Sequence, residues 1–80
     1  MWYVYLLQSK AEPSERYVGF TMDLRGRLDQ HNAKESKHTS KFAPWELVTY
    51  IAFSKKQQAE SFERYLKSGS GHAFAKKRLW

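Results

Sequence analysis

The pattern of apolar and polar positions predicts three β-strands in this chain. Residues 2–8 (WYVYLLQ) and 16–20 (RYVGF) are rich in β-branched and aromatic side chains and flank a turn-like stretch, so together they predict a hairpin. Residues 45–53 (WELVTYIAF) are apolar at successive positions, which is typical of a strand that helices cover on both faces. We therefore expect a small sheet of three strands.

Two longer segments have the signals of α-helices. Residues 21–32 (TMDLRGRLDQHN) predict a helix with Thr21 as its N-cap, because a threonine hydroxyl can accept a hydrogen bond from a free backbone N–H group. Residues 54–68 predict a second helix, since Ser54 and Gln57 have the spacing of a capping box. Both helices should pack on the sheet through one apolar stripe.

The remaining segments are a basic connection, a break and a last helix. Residues 33–44 form the basic connection, for which we expect one short helical turn. The glycines of 69–71 are predicted to end the second helix, and residues 72–80 are predicted to form a last helix. The order β-β-α-β-α-α has no repeat or linker. It predicts one domain over residues 1–80 of the α/β (α+β) class, a small three-stranded antiparallel sheet flanked by helices.

Large apolar side chains of the strands and later helices are the expected core. Each one that is fully buried stabilises a fold by about 1.5–3 kcal/mol before the entropy of ordering is subtracted. The expected core residues are Val4, Leu6, Val18, Phe20, Leu47, Ile51, Phe53, Phe62, Leu66, Phe74 and Leu79.

Composition excludes several classes of protein. The chain has no cysteine, which rules out a disulfide framework, a thiolate metal site and a cysteine nucleophile. The N-terminal apolar run has no basic lead-in and is too short to cross a membrane, so we expect a cytoplasmic protein with no membrane partner. The net charge of +6, from 14 Lys and Arg against 8 Asp and Glu, indicates a polyanionic partner such as nucleic acid.

Charged side chains interrupt the apolar stripe of the first helix. Arg27 and His31 share that stripe with Leu24 and Leu28 by helical spacing. Burying an unpaired charge is costly, so such side chains are normally paired or lie at the rim of a cleft. The structural alternative is that Arg27 extends from the stripe edge or pairs with Asp23, and that His31 is an ordinary histidine at a helix end.

The second helix has the same anomaly. Glu63 stands on a stripe with Ala59, Phe62 and Leu66. The structural alternative is an i,i+4 ion pair with Lys67, which at a surface would stabilise the helix by only about 0.2–0.5 kcal/mol.

The register of the predicted hairpin sets two tyrosines beside a glycine. A five-residue loop after residue 8 places Tyr5 opposite Tyr17 and Tyr3 opposite Gly19. A glycine in a strand often marks the close approach of a ligand or another backbone. Two hydroxyls, a guanidinium, an imidazole and a carboxylate would then converge, and these groups can hold a phosphodiester, a metal ion and an attacking water.

These residues resemble the GIY-YIG nuclease superfamily. "YVG" (17–19) matches the second signature element of that family, and "YVY" (3–5) stands where the first belongs. Arg27 falls at the position of the family's arginine, His31 matches a histidine of many members, and Glu63 matches the metal-binding glutamate. The resemblance covers almost the whole chain.

The tail of the chain, from residue 62 onward, is similar to small stand-alone bacterial members related to the nuclease domain of the excinuclease. Two positions depart from the family pattern. Tyr3 replaces the glycine of the first element, and Phe20 stands where the excinuclease domain has a lysine, whose contact Lys41 could supply. No residue matches the late asparagine of homing-endonuclease relatives. Substrate recognition is therefore less well predicted than the catalytic set.

The resemblance implies a divalent-metal-dependent hydrolysis of phosphodiesters. Glu63 would be the single protein ligand to Mg²⁺ (or Mn²⁺), and Tyr17 would orient or deprotonate the attacking water. Tyr5 would hydrogen-bond beside it, Arg27 would bind a non-bridging phosphate oxygen through its forked donors, and His31 could accept a proton or position the phosphate.

Basic residues in the connection and near the end would follow the nucleic acid backbone, with a plain solvated surface as the alternative. They are Lys34, Lys37, His38, Lys41, Lys67, Lys76, Lys77 and Arg78. The expected function is an endonuclease that hydrolyses DNA in repair or recombination, with RNA as the alternative substrate. A protein partner could supply specificity. The alternatives are a weak or inactive nucleic-acid-binding module of the same fold and a basic protein-interaction adaptor.

Overall fold

Three antiparallel strands form a sheet with β1 at its centre. The computed structural model describes residues 1–80, and its strands are β1 (Trp2–Ser9), β2 (Arg16–Thr21) and β3 (Trp45–Phe53). The order across the sheet is β2-β1-β3, so β1 has a partner on each edge. The side chains at positions 4–7 of β1 are buried on both faces. The predicted three-stranded antiparallel sheet is confirmed.

Three α-helices cover the sheet. They are α1 (Leu24–Asn32), α2 (Lys56–Leu66) and α3 (Gly69–Arg78), and a 3-10 turn at Ser40–Phe42 lies in the basic connection. The element order β-β-α-β-α-α and the α+β class agree with the prediction. None of these helices combines the length and the apolar character that a membrane span requires.

Each face of the sheet packs into its own core, because successive side chains of β1 point to opposite faces. α2 and α3 pack on one face through Val4, Leu6, Ala59, Leu66 and Ala75. The other face carries Tyr5, Leu7 and Trp45, with Leu24 and Leu28 of α1 packed against them. The apolar stripe that carries Arg27 and His31 and the one that carries Glu63 therefore belong to helices on opposite faces of the sheet.

One predicted core residue is exposed. Phe74 is 40% exposed, because the neighbouring Ala75 is the residue of α3 that faces the sheet. The prediction also left out Tyr5, Leu7 and Trp45, which form the buried core beneath α1.

The predicted hairpin register is wrong by two residues. Tyr5 pairs with Gly19 rather than with Tyr17, and Tyr3 pairs with Thr21. Because a shift of two preserves the alternation of side chains, Tyr5, Tyr17 and Gly19 still share one face of the sheet.

Ser9 is the reason for the shift. The prediction assigned it to the loop, but it is buried and ends β1, and its backbone N–H donates to the carbonyl of Glu15 at 3.0 Å. The Ser9 hydroxyl donates to the carbonyl of Phe42 at 2.6 Å, which fixes the strand end against the basic connection.

The predicted caps of the first two helices are also wrong. α1 is capped by Asp23, whose carboxylate accepts a hydrogen bond from the N–H of Gly26 at 3.0 Å. Thr21 instead ends β2, and its hydroxyl oxygen accepts from the N–H of Asp23 at 3.1 Å. α2 begins at Lys56 after Lys55, so no capping box forms at its start.

The glycines of 69–71 begin a helix instead of breaking one. Ser68 caps α3, and its hydroxyl accepts from the N–H of Gly71 at 3.2 Å. A side chain at Gly71 would collide with the backbone at Tyr65 and Leu66, so the glycine lets the start of α3 lie directly against the end of α2.

Candidate active site

Gly19 of β2 leaves room for the phenol of Tyr5. A Cβ atom built on Gly19 would lie 2.5 Å from the Tyr5 hydroxyl oxygen and 3.0 Å from Cε2 of Tyr17. Any side chain at position 19 would therefore displace both rings. The missing side chain lets the hydroxyl of Tyr5 rest against the backbone of the edge strand.

Three aromatic rings meet at this point. The ring centroids of Tyr5 and Tyr17 are 6.2 Å apart, and His31, in the last turn of α1, lies 5.9 Å from Tyr5 and 4.9 Å from Tyr17. Three of the predicted site residues are thus in mutual contact. They come from β1, β2 and α1, so the fold of the whole hairpin and first helix is needed to build the cluster.

A chain of hydrogen bonds passes through Tyr5. Arg27 donates from Nε to the Tyr5 hydroxyl at 3.3 Å, and that hydroxyl lies 3.1 Å from Nε2 of His31. Nδ1 of His31 is 2.7 Å from the hydroxyl of Thr39, and Nη1 of Arg27 donates to Oε1 of Gln30 at 2.8 Å. Arg27 therefore pairs within the site and not with Asp23, which caps α1.

The environment keeps Tyr5 and His31 neutral and Arg27 charged. Burial raises the pKa of Tyr5, although the hydrogen bond from Arg27 opposes the change. Burial, together with the positive charge of Arg27, lowers the pKa of His31. The hydrogen bond to Tyr5 raises the pKa of Arg27 despite partial burial. His31 is fully buried in the last turn of α1, so its ring faces the site and not the solvent.

The hydroxyl of Tyr17 is held less firmly. Tyr17 is half-buried on the edge strand, and its hydroxyl shares the Arg27 guanidinium with Tyr5. Its hydrogen bond adds, after larger contributions, to the raised pKa of Arg27. The Tyr5 hydroxyl is bound from two sides, by Arg27 and by His31, so Tyr17 is the less tightly held of the two phenols.

Glu63 lies on α2 at the border of the site. Its carboxylate accepts a hydrogen bond from Nζ of Lys67 at 2.8 Å, so the i,i+4 pair of the structural alternative does form. The same Nζ lies 5.9 Å from the ring centroid of Tyr17. The Glu63 charge also adds, after burial and nearer groups, to the raised pKa of Tyr5. Glu63 is thus close enough for its charge to act on the phenol of Tyr5.

A divalent cation would find one carboxylate here. No three His, Asp or Glu side chains cluster in the structure. Mg²⁺ commonly keeps several waters and is held by one or two carboxylates together with substrate phosphate oxygens. The carboxylate of Glu63, whose side chain is 17% exposed, fits that mode of binding once Lys67 releases one oxygen.

The predicted nucleic-acid-binding residues are all exposed, but they occupy different parts of the surface. Lys76, Lys77 and Arg78 lie on α3, which packs against the sheet face opposite Tyr5. Lys67 is the member beside the site. The others stand on the basic connection and are Lys34, Lys37, His38 and Lys41.

Sequence reasoning missed Thr39, which attaches the basic connection to the site. It is 1% exposed, its hydroxyl contacts Nδ1 of His31, and its carbonyl accepts from Nε1 of Trp45 at 2.8 Å. No pattern could have identified it, since a threonine in a polar stretch breaks no periodicity.

Comparison with known proteins gives one family. Residues 1–77 match the model of the GIY-YIG catalytic domain. The structure-specific endonuclease subunit SLX1 homolog of Giardia intestinalis is 35% identical over 65 residues, which cover 76% of this chain but 18% of that protein. The chain thus spans less than a fifth of that relative's length.

Small relatives cover the chain more evenly. A UPF0213 protein of Clostridium perfringens is 38% identical over 66 residues, or 81% of this chain and 69% of its own. The solution NMR structure of a UPF0213 protein from Bacillus halodurans superposes with a TM-score of 0.56 at 28% identity, over 99% of this chain and 87% of that one.

Proposed function

Since the chain belongs to the GIY-YIG catalytic domain family, we propose that it is a nuclease that hydrolyses phosphodiester bonds of DNA in repair or recombination. The observation that carries this proposal is the cluster in which Tyr5, Tyr17 and His31 meet under the guanidinium of Arg27, with Glu63 at its border. In this proposal residues 1–80 act as one nuclease domain. RNA is the alternative substrate, and a protein partner and a cytoplasmic location remain predictions from the sequence.

Tyr17 is the residue that handles the attacking water in this proposal. Its hydroxyl has only a weaker contact with Arg27, whereas that of Tyr5 is held between two side chains. Arg27, held charged by its contact with Tyr5, would favour the negative charge that develops as the water loses its proton and attacks.

Arg27 and the Tyr5–His31 pair form the phosphate side of the site. Arg27 donates from Nε to Tyr5 and from Nη1 to Gln30. Its remaining N–H groups would donate to a non-bridging phosphate oxygen. Tyr5 and His31 are buried and neutral, so they hold the guanidinium in place and leave the charge of Arg27 uncompensated for the phosphate.

Glu63 would hold Mg²⁺ or Mn²⁺. Such a cation supplies charge stabilisation at the phosphate and at the leaving oxygen. Lys67 would move from the carboxylate to the nucleic acid backbone. The lysines and His38 of the connection would add electrostatic attraction to the phosphates, which is the same for every nucleotide sequence. Lys76 and Lys77, on the opposite sheet face, would contact the same molecule only if it extends around the domain.

The same ion pair favours one alternative function. Because Lys67 occupies the carboxylate that a metal needs, the chain could instead bind nucleic acid with weak or no turnover. The adaptor hypothesis is less favoured, since it gives no reason for Tyr5, His31 and Thr39 to form a buried polar network.

Nicking of supercoiled plasmid tests the nuclease proposal. The wild-type chain should nick plasmid with Mg²⁺ and not with EDTA, and Glu63→Gln should lose at least about 10²-fold in rate, as is common when one electrostatic group of a site is removed. Glu60→Gln is the matched control, because it makes the same change on the same helix in the exposed pair with Arg64. Nicking in EDTA, or equal loss in both variants, would contradict the proposal. Binding without nicking would favour the alternative.

A further inference from the structure

A second concave surface lies next to the candidate active site. It is a cleft of about 320 Å³ between the edge strand β2 and the helices α2 and α3. Its lining residues are Arg16, Tyr17, Val18, Leu66, Lys67, His72, Ala75 and Trp80. None of the functions discussed so far uses this cleft as a whole.

The cleft has an apolar floor and a cationic rim. Val18, Leu66 and Ala75 form the floor, as part of the core on that face of the sheet. The exposed side chains at the rim are His72 and the two cations Arg16 and Lys67, and no acidic side chain lines the cleft. Such a surface fits a ligand with a flat apolar body and a negative charge.

One wall of the cleft is a stacked pair. The guanidinium carbon of Arg16 lies 4.8 Å from the ring centroid of Trp80. An indole and a guanidinium are both planar, and nucleic acid bases stack on either, with cation–π attraction adding to the contact. This wall indicates a base, in preference to an aliphatic ligand.

The cleft is continuous with the candidate active site. Tyr17 and Lys67 line the cleft, and Lys67 also hydrogen-bonds Glu63 at 2.8 Å. A strand whose phosphate lay at Tyr17 would therefore have its adjoining nucleotide at the mouth of the cleft.

We propose that this cleft binds an unpaired nucleotide of a single strand, its base beside Trp80 and its phosphate on Arg16 and Lys67. The base would have to leave a duplex to enter, so a single-stranded segment should bind more tightly than a duplex of equal length. The position of this nucleotide next to the cleaved bond rests on the proposed nuclease function. Binding of a nucleotide in the cleft does not depend on that function.

Binding of a labelled oligothymidylate in EDTA tests the cleft without any cleavage. We expect Arg16→Ala to weaken binding, measured by fluorescence anisotropy, about tenfold, because the guanidinium that would bind the phosphate is lost. Arg64→Ala is the matched control, since it removes the same charge from a site outside the cleft and should weaken binding less than threefold. Equal weakening by both variants would overturn the proposal and leave only general electrostatic attraction.

Trp80 gives a second readout. Oligothymidylate should quench tryptophan fluorescence in the wild-type chain. Trp80→Phe should retain binding but lose most of the quenching, because the two remaining tryptophans, Trp2 and Trp45, do not line the cleft. Persistent quenching in Trp80→Phe would contradict the proposal. Thermal melting followed by circular dichroism checks that each variant is folded.

The two proposals can fail separately. Cleft binding without plasmid nicking would overturn the nuclease function and support the nucleotide site. Nicking by a chain whose oligothymidylate affinity is unchanged by Arg16→Ala would do the reverse.

Discussion

The hydroxyl of Tyr5 lies 3.1 Å from Nε2 of His31, and this contact joins the central strand to the last turn of α1. The other ring nitrogen of His31 faces the hydroxyl of Thr39 at 2.7 Å. A neutral imidazole has one donor and one acceptor nitrogen, so two hydroxyl partners satisfy it without a net charge. The site is thus built around a histidine that the fold keeps uncharged.

Stability should fall as the solution becomes acidic, because of His31. Its pKa is about 6.5 in an unfolded chain and is lowered in the folded one. Between these two values the unfolded state binds more protons, so the free energy of unfolding decreases as pH falls from about 6.5 towards the folded-state pKa. Urea denaturation between about pH 7.5 and pH 5.5 measures this slope.

A variant isolates the contribution of His31 to that measurement. His31→Gln should flatten the slope even though it lowers stability overall. A slope that survives in His31→Gln would assign the pH dependence to other groups.

The two phenols should respond differently to loss of the hydroxyl. Tyr5→Phe leaves Nε of Arg27 and Nε2 of His31 without a partner in a buried site, so we expect a loss of about 1–3 kcal/mol in the free energy of unfolding. Tyr17→Phe should change stability by less than about 0.5 kcal/mol. Its nicking rate should nevertheless fall at least about 10²-fold, as expected for a residue that handles a proton.

Parallel urea curves and plasmid assays on both variants decide between chemical and structural roles. If Tyr17→Phe unfolds readily, or nicks at the wild-type rate, the phenol is a packing residue.

Gly19→Ala should destabilise the hairpin. The new methyl group would meet the hydroxyl of Tyr5 at 2.5 Å, and that ring is buried and cannot swing away. Overpacking of this kind costs about 1–3 kcal/mol. Gly69→Ala is a sharp control, because a methyl group there meets nothing within 4 Å and a helical alanine should add roughly 0.5–1 kcal/mol of stability. Opposite shifts of the two urea midpoints are the expected result, and equal shifts would mean that Tyr5 has room to move.

Lys67→Ala should strengthen metal binding while weakening nucleic acid binding. The ammonium at 2.8 Å from Glu63 competes with any cation for the carboxylate. Its removal should lower the Mg²⁺ concentration at half-maximal nicking, and calorimetric titration with Mn²⁺ should show the same direction. Arg64→Ala breaks the analogous but looser pair with Glu60, at 3.9 Å, and should change neither value. A Mg²⁺ requirement that rises in Lys67→Ala would remove Glu63 from the metal hypothesis.

The sequence predicted those features that depend on periodicity. Runs of β-branched, aromatic and apolar residues along 2–8 and 45–53 predicted the sheet, and helical spacing singled out Arg27, His31 and Glu63 as polar side chains on apolar stripes. Arg27 and His31 both contact the hydroxyl of Tyr5, whereas Glu63 forms the i,i+4 pair with Lys67. The rule that a polar group on an apolar stripe needs a partner therefore pointed to two members of the hydrogen-bonded cluster from the sequence alone.

Features that depend on contacts between distant segments were not predictable. Ser9 ends β1 because Phe42 accepts its hydroxyl, and no local signal reveals that partner. Asp23 and Thr21 are both good capping residues, and only the end of β2 decides between them. Thr39 acquires its role from His31 and Trp45, which lie on other elements.

Thr39 is fastened on two sides, by the indole of Trp45 at its carbonyl and by the imidazole of His31 at its hydroxyl. The lysine-bearing segment around Thr39 cannot move away from the domain without breaking both of these buried hydrogen bonds. A polyanion that approaches this side of the molecule consequently meets exposed lysines on a backbone that is held beside His31.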